Sequence, residues 1–381
     1  MALTLIYATL LAFIPYFIAV WRTPPMKWIV VLALLARLVM LFTPVTLSSD
    51  VHRYIWEGKV QRGGFNPYRL APDAGELAGL RDANWERVEH REVPTAYPPL
   101  LLLVFRAGKT PFAFKVIFTA FDLATLWLLI KRVGNRAVIW AWNPLVILEF
   151  AGNGHAMSAA IFFFVTGLLL LERQLNPCAA LAGAALSHIF AVPAVLALRL
   201  KSWRFWLGFV VLVGAGLALF ADAGTHLVRG LVNFGGRWRF NGSFFELLTF
   251  ALPASRSRIV FGDIWVTGTW AKLVAVTLLA GIFAWTRWRR YPAPRAALAV
   301  VGAVVLLSPT VHPWYVTWLV ALCCVEFRVS WLVLSACVIV SYAARITELQ
   351  TGVWVDSAFV RWIEYAPFFA VWLVDSVRRR Q

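Results

Sequence analysis

The sequence predicts an all-α, polytopic transmembrane helical bundle, and three observations carry that prediction. Of 381 residues, 61% are hydrophobic and only 14% charged, against roughly 25% charged in soluble domains. Apolar runs of about 20 residues, each long enough to cross a bilayer core, recur along the whole chain. Strand-type alternation, the mark of a membrane barrel, is absent.

The formal net charge is +17. In a soluble chain that would point to nucleic acid. Here the basic residues fall mostly between apolar runs, where they set topology and meet anionic lipid. No long soluble basic domain exists, so membrane lipids are the expected partners and nucleic acid is not. Cys178, Cys323, Cys324 and Cys337 lie in or beside apolar runs without zinc-like spacing, which indicates neither a disulfide framework nor a metal site. Residues 1–20 lack a positive n-region and a convincing cleavage site, and read as a retained span.

Basic clusters orient the spans. Arg22 and Lys27 separate spans 1–21 and 28–47 and put that turn in the cytoplasm. The first long loop, 48–98, is then external. Span 111–131 returns to Lys131, Arg132 and Arg136. Span 137–151 leads out to "GNGH", and 156–171 comes back to Glu172 and Arg173. Segment 177–199 could cross once, but Arg199, Lys201 and Arg204 would then be outside. A broken hairpin turning near Ser187 and His188 removes the conflict, since irregular backbone is tolerated where protein buries it. Span 205–221 goes out to a second external loop, 222–264, and 265–286 returns to Arg287, Arg289 and Arg290. Span 296–311 leads to His312 and Pro313, 314–327 returns, 330–345 goes out and 346–361 is external. Span 362–377 ends inside at Arg378, Arg379 and Arg380. The count is eleven spans plus a hairpin in one domain, 1–381, with no clear internal repeat. The polar residues of 48–98, 152–155, 226–246, 312–315 and 345–361 gather on the external face.

The stretch "SSDVHRYIWEGKVQRGG" opens the first external loop. With a period of 3.6, Asp50, Arg53, Tyr54, Glu57 and Gln61 share one stripe, while Val51, Ile55 and Val60 can face lipid or core. Ser48 or Ser49 can cap the start, and Gly63-Gly64 the end. This predicts an amphipathic helix over 50–62, about 20 Å long, lying along the membrane surface. Asp50 either caps the helix N-terminus or acts as a general base. Arg53 and Glu57 could form a surface ion pair worth little. In "TAYPPLLLL", two prolines fix an extended entry into an apolar segment that packs the loop on the bundle, with Tyr97 near enough to reach a cavity.

"SDVHRYIWEGKVQRGGFNPYRLAPD" followed by "EVPTAYPPL" resembles the first external loop of the GT-C glycosyltransferases, and among them the polyprenyl-phosphate-mannose-dependent mannosyltransferases of bacteria. "AWNPLVILEFAGNGH", "RWRFNGSFFELL" and "LLSPTVHPWYVTWL" agree with that family in order, so the resemblance covers most of the chain. It implies a multi-span helical fold of GT-C type with its active face outside, at the cell (inner) membrane. It also implies a polyprenyl-phosphate-sugar donor, a lipid or glycan acceptor, and a catalytic carboxylate in the first external loop, at Asp50. Where that family often carries two acids this chain has Ser49-Asp50. Where it often carries Asn-Asp after "GH" it has Ala156-Met157, and His188 stands where a Lys is usual. Two candidate carboxylate ligands are thus absent; no cofactor is called for, and a divalent metal is not favoured.

Sugar transfer from a lipid phosphate needs a base for the acceptor hydroxyl, and Asp50 is the candidate. It needs fixed donors for the departing phosphate, with His312, Arg237, Arg239, Arg53 and Arg345 available. It needs polar and aromatic groups around sugar and acceptor. Trp56, Glu57, Asn66, Tyr68, Tyr97, His155, His188, Asn241 and Tyr315 are the candidates. Phosphate leaves readily, so no second carboxyl acid is required, unlike a glycoside hydrolase. Several of these residues have structural alternatives. Trp314 and Tyr315 suit an interfacial belt, Arg237 and Arg239 suit lipid headgroups, and His155 and His188 suit buried hydrogen bonds. Two other functions fit parts of the pattern. A transporter or flippase would show repeats and paired broken helices, whereas this chain offers one break and no repeat. A catalytically inactive binding homologue would account for Ala156-Met157.

Overall fold

The computed structural model describes residues 2–258 and 265–378. Residues 259–264 of the second loop, and Arg379 and Arg380 of the terminal basic run, lie outside the described residues. The described chain is overwhelmingly helical. Its one small sheet is an antiparallel ribbon, Arg256–Arg258 with Trp265–Thr267, in which Arg256 faces Thr267.

Four helical stretches are long and apolar enough to cross a bilayer: Ala2–Arg22, Pro111–Ala141, Thr269–Trp288 and Val329–Thr351. Helices Trp203–Ala218 and Ala221–Arg237 qualify as a pair but bend by 105°, at the point where a span was expected to give way to the second loop. Met157–Glu172, Ala293–Leu307 and Pro313–Cys323 are apolar but shorter. Leu11, Val39, Val210 and Val276 are among many large apolar side chains left exposed. An apolar exterior with satisfied helical backbone is the build of a protein solvated by lipid.

Two segments are broken for local reasons. Near 143 the side-chain amide oxygen of Asn143 accepts from the N–H groups of Leu145 and Val146 at 3.1 and 3.2 Å, starting a new turn at Pro144. A π-helical turn, Leu148–Gly152, follows. Between 177 and 199 the helices Cys178–Ala185 and Ala191–Ala197 are separated around Ser187 and His188, where the break was expected.

The loop helix is Asp50–Arg62, with the predicted limits. The Ser48 hydroxyl accepts from the Asp50 N–H at 3.2 Å, and Gly64 turns the chain away at φ +83°. The helix does not lie freely on a surface. Val51, Tyr54, Ile55, Trp56 and Val60 are buried, and the Tyr54 ring stacks on Phe105 with centroids 4.5 Å apart. Gln61 and Arg62 reach across to the carbonyls of Leu102 and Arg106, both at 2.8 Å. The contact with helix Pro99–Ala107 depends on Gly58, where a Cβ would fall 2.1 Å from the Phe105 carbonyl oxygen. Gly58→Ala gains helix propensity of about 1 kcal/mol but meets backbone that cannot rotate away. A net destabilisation of about 1–3 kcal/mol is expected; a melting temperature equal to or above wild type in detergent would contradict it.

Within the bundle, Arg37 and Asp122 form a fork of two hydrogen bonds, 2.6 and 3.0 Å long, with both side chains almost fully buried. Lys115 donates to the carbonyls of Met40 and Thr43 at 2.7 and 2.5 Å, capping helix Met26–Leu41 where the first external loop begins.

Candidate active site

Several parts of the chain converge on a cleft of about 440 Å³, part of it open to solvent. The apolar run ending at Leu47 delivers Ser48, Ser49 and Asp50. The start of helix Pro313–Cys323 delivers His312 and Trp314. The turn before helix Ala343–Thr351, and that helix, deliver Ser341, Tyr342 and Arg345. The two external loops close the sides with Glu89 and Phe240. Pro313 holds His312 extended, at φ −86° and ψ 152°, as a following proline requires. The second loop is fastened beside it, because Phe240 exchanges backbone hydrogen bonds of 3.0 and 2.8 Å with Pro309 and Val311.

The Asp50 side chain is one-third exposed, toward the cleft. The Tyr54 hydroxyl is its hydrogen-bond donor at 3.5 Å, and His155 Nε2 lies 3.8 Å from the same oxygen. Both contacts are long, which leaves room for an incoming hydroxyl. Burial of its surroundings pushes the Asp50 pKa above the usual carboxylate value, opposed by His155 and reinforced by Glu89. The carboxylate therefore faces the cleft and His155, while the Ser48 hydroxyl serves the helix N-terminus.

His155 and His312 sandwich the Trp314 ring, with centroid separations of 3.8 and 4.3 Å. Burial lowers the His312 pKa to about 3. His312 is accordingly neutral, so it can offer one N–H to a phosphate but no positive charge. Arg345 supplies charge. Its Nη1 bonds Glu89 at 3.0 Å and also pairs with Glu348, while its buried Nε has no partner.

The other predicted residues lie as follows. Tyr315 packs behind His312 at 5.5 Å, and His188 lies 5.8 Å beyond Tyr315. Arg53 is fully committed elsewhere, to Glu57 at 2.6 Å and to the carbonyls of His90 and Val93. Glu57 is buried in that pair. Arg239 bonds Glu246 and Thr249 at 2.8 and 3.0 Å. Arg237 lines a different cleft, with Arg69, Glu92 and Asn233. Asn66 bonds Asp222 at 2.6 Å, tying the first loop to the second, and the Tyr68 hydroxyl donates to the Tyr97 carbonyl at 2.7 Å. Tyr97 packs edge-on to Tyr54 at 5.3 Å. Trp56 is buried with Val60, Leu77 and Val88. The Asn241 amide is buried against both oxygens of Glu364, at 3.0 and 2.8 Å. Of the five expected phosphate ligands, the structure thus brings His312 and Arg345 to Asp50.

Sequence reasoning missed Glu149. Its carboxylate is buried and receives three donors: His155 Nδ1–H at 2.7 Å, the Tyr342 hydroxyl at 2.7 Å and the Asn153 amide at 3.1 Å. The signal was available, since an acid inside an apolar run is a functional candidate by default. The π-helical turn and Gly154, at φ +72°, fold the chain back so that Glu149 meets His155; such turns recur at functional sites. Among the described residues no group of three or more His, Cys, Asp or Glu is arranged to hold a metal ion.

No protein-family model matches the chain. No solved structure matches it. Curated proteins do. The alpha-(1->6)-mannopyranosyltransferase A of Mycobacterium tuberculosis is 25% identical over 326 residues, covering 74% of this chain and 61% of that protein. A probable alpha-(1->6)-mannopyranosyltransferase of Mycolicibacterium smegmatis is 24% identical, covering 73% and 61%. The alpha-(1->6)-mannopyranosyltransferase A of Corynebacterium glutamicum is 26% identical over 43% of this chain and 36% of its own length. The chain spans about 61% of the length of the first two. In its helical, lipid-facing build and over about three quarters of its length, the chain is thus similar to curated alpha-(1->6)-mannopyranosyltransferases.

Proposed function

We propose that the chain is a membrane glycosyltransferase. It transfers a hexose, mannose by the names of its relatives, from a polyprenyl-phosphate donor to a lipid or glycan acceptor. The reaction runs on the external face of the cell membrane with inversion at C1. Eleven crossings and the broken hairpin, in one domain, carry the cleft to that face.

The observation that carries this reading is Asp50 sharing one cleft with His312 and with Arg345, whose Nε is unpartnered. Asp50 takes the proton of the acceptor hydroxyl as its oxygen attacks C1. The bond from C1 to the phosphate oxygen breaks, and its electron pair stays on the phosphate. Arg345 and the His312 N–H meet that growing charge.

The purified chain in lipid nanodiscs, given labelled polyprenyl-phosphate mannose and a glycolipid extract, should consume donor and yield mannosylated product. Donor that crosses proteoliposomes intact would favour a flippase, and binding without consumption an inactive homologue; either outcome sinks the reading. His312→Ala should weaken donor binding about tenfold, the value of a hydrogen bond to a charged group. Unchanged affinity by titration would return His312 to the role of aromatic packing beside Trp314.

A further inference from the structure

The mechanism above leaves a proton on Asp50 and says nothing of the buried pair behind it. Glu149 and His155 are joined twice, by the His155 Nδ1–H at 2.7 Å to the carboxylate and by the His155 backbone N–H at 2.9 Å to the Glu149 carbonyl. Both side chains are essentially inaccessible to solvent. A carboxylate only accepts, so Nδ1 carries the proton and Nε2 presents its lone pair toward the cleft. There it accepts from the Ser48 hydroxyl at 3.0 Å and sits 3.8 Å from Asp50. Trp314 stacks on the imidazole and fixes its plane.

We propose that His155, held in one tautomer by Glu149, is a positioning residue for Asp50 and takes up the proton that Asp50 removes from the acceptor. This rests on the glycosyl-transfer reading. In the step, the Asp50 O–H bond breaks and its electron pair stays on the carboxylate. A new N–H bond forms at His155 Nε2, and Ser48 rotates from donor to acceptor. The imidazolium is then paired with Glu149, as a buried cation must be. The site restores a free carboxylate without opening to water.

The titratable and charged groups that face Asp50 are His155, Glu89, Tyr54 and Arg53, with His312 and Arg345 lining the same cleft and Tyr97, Tyr315 and Tyr342 behind them. Those facing His155 are Glu149, Asp50 and His312. Of the groups around Asp50, His155 is the one that a gained proton brings into direct opposition to the carboxylate. In the resting site His155 is neutral, so its removal takes away the proton acceptor and not a charge that holds Asp50 ionised.

The experiment compares full-length wild type, Asp50→Asn, His155→Asn and Glu149→Gln in nanodiscs with polyprenyl-phosphate mannose. His155→Asn should lower kcat by about 10²-fold with donor KM nearly unchanged. Glu149→Gln keeps the shape but can hold the wrong tautomer, and should lower kcat at least about tenfold, again with KM unchanged. It serves as the independent test if His155→Asn does not fold. A purely structural role predicts loss of folded protein or of donor affinity, not a fall in kcat at unchanged KM. If Asp50→Asn is inactive while His155→Asn or Glu149→Gln retains wild-type kcat, the proposal is overturned alone. If Asp50→Asn retains activity, the glycosyl-transfer reading falls first.

Discussion

Asp50→Asn is expected to lower turnover by about 10²- to 10⁴-fold, the range contributed by a positioned general base, while donor affinity changes little. The amide matches the carboxylate in shape and can still receive the Tyr54 hydroxyl, 3.5 Å away. It cannot take a proton from an attacking hydroxyl. His312 and Arg345 stand elsewhere on the lining of the cleft, so the substitution leaves both side chains in place. The pH profile gives a second check. Because burial raises the Asp50 pKa, the base is protonated, and idle, over an acidic range wider than an exposed aspartate would have. Activity should therefore fall as pH drops through a limb lying above the ordinary value of about 3.9. Steady-state kinetics with labelled donor would measure both effects. A variant with full turnover would remove Asp50 as the base, and one that lost donor binding in proportion would make it a donor ligand instead.

Local chemistry was legible in the sequence. The loop helix Asp50–Arg62 was framed by serines before it and glycines after it, and its limits follow from them. The break at Ser187 and His188 was the reading that kept Arg199, Lys201 and Arg204 on the basic side. Pairings across long separations were not legible. Asn66 and Asn241 were candidates for sugar because an amide suits a hydroxyl. The partners they have, Asp222 and Glu364, lie 156 and 123 residues away along the chain. The helical stripe was similarly over-read. Asp50, Arg53, Tyr54, Glu57 and Gln61 share a face, but a helix of about 20 Å outreaches the cleft. Its first turn meets the cleft, and its later turns meet the loop around Val93 and helix Pro99–Ala107. Glu149 was passed over because it belongs to a run that reads as a span, and no periodicity distinguishes a lipid-facing acid from one folded back onto a histidine.

The largest expected loss of stability lies away from the cleft, at Asp122→Ala. Asp122 is wholly buried and Arg37 nearly so, joined by the fork of 2.6 and 3.0 Å, with the Trp140 indole N–H donating to the same carboxylate at 2.8 Å. Arg37 also donates to the Ala141 carbonyl at 2.7 Å and the Ala33 carbonyl at 3.2 Å. One ion pair therefore links helix Met26–Leu41, helix Pro111–Val133 and the short turn at 138–141. The attraction of the two charges is largely offset by the cost of burying them, so the pair adds little net stability. Removing one partner is different, because the remaining guanidinium stays in an apolar interior without its counter-charge. The expected cost is about 3–5 kcal/mol. The double replacement Arg37→Met with Asp122→Leu leaves no buried charge and should recover most of that loss, despite forfeiting the bonds to Ala141 and Ala33. Unfolding midpoints of the two single variants and the double variant in one detergent decide the matter. A double variant as unstable as the sum of the singles would mean that the side chains act independently, and that Arg37 is held by the carbonyls rather than by Asp122.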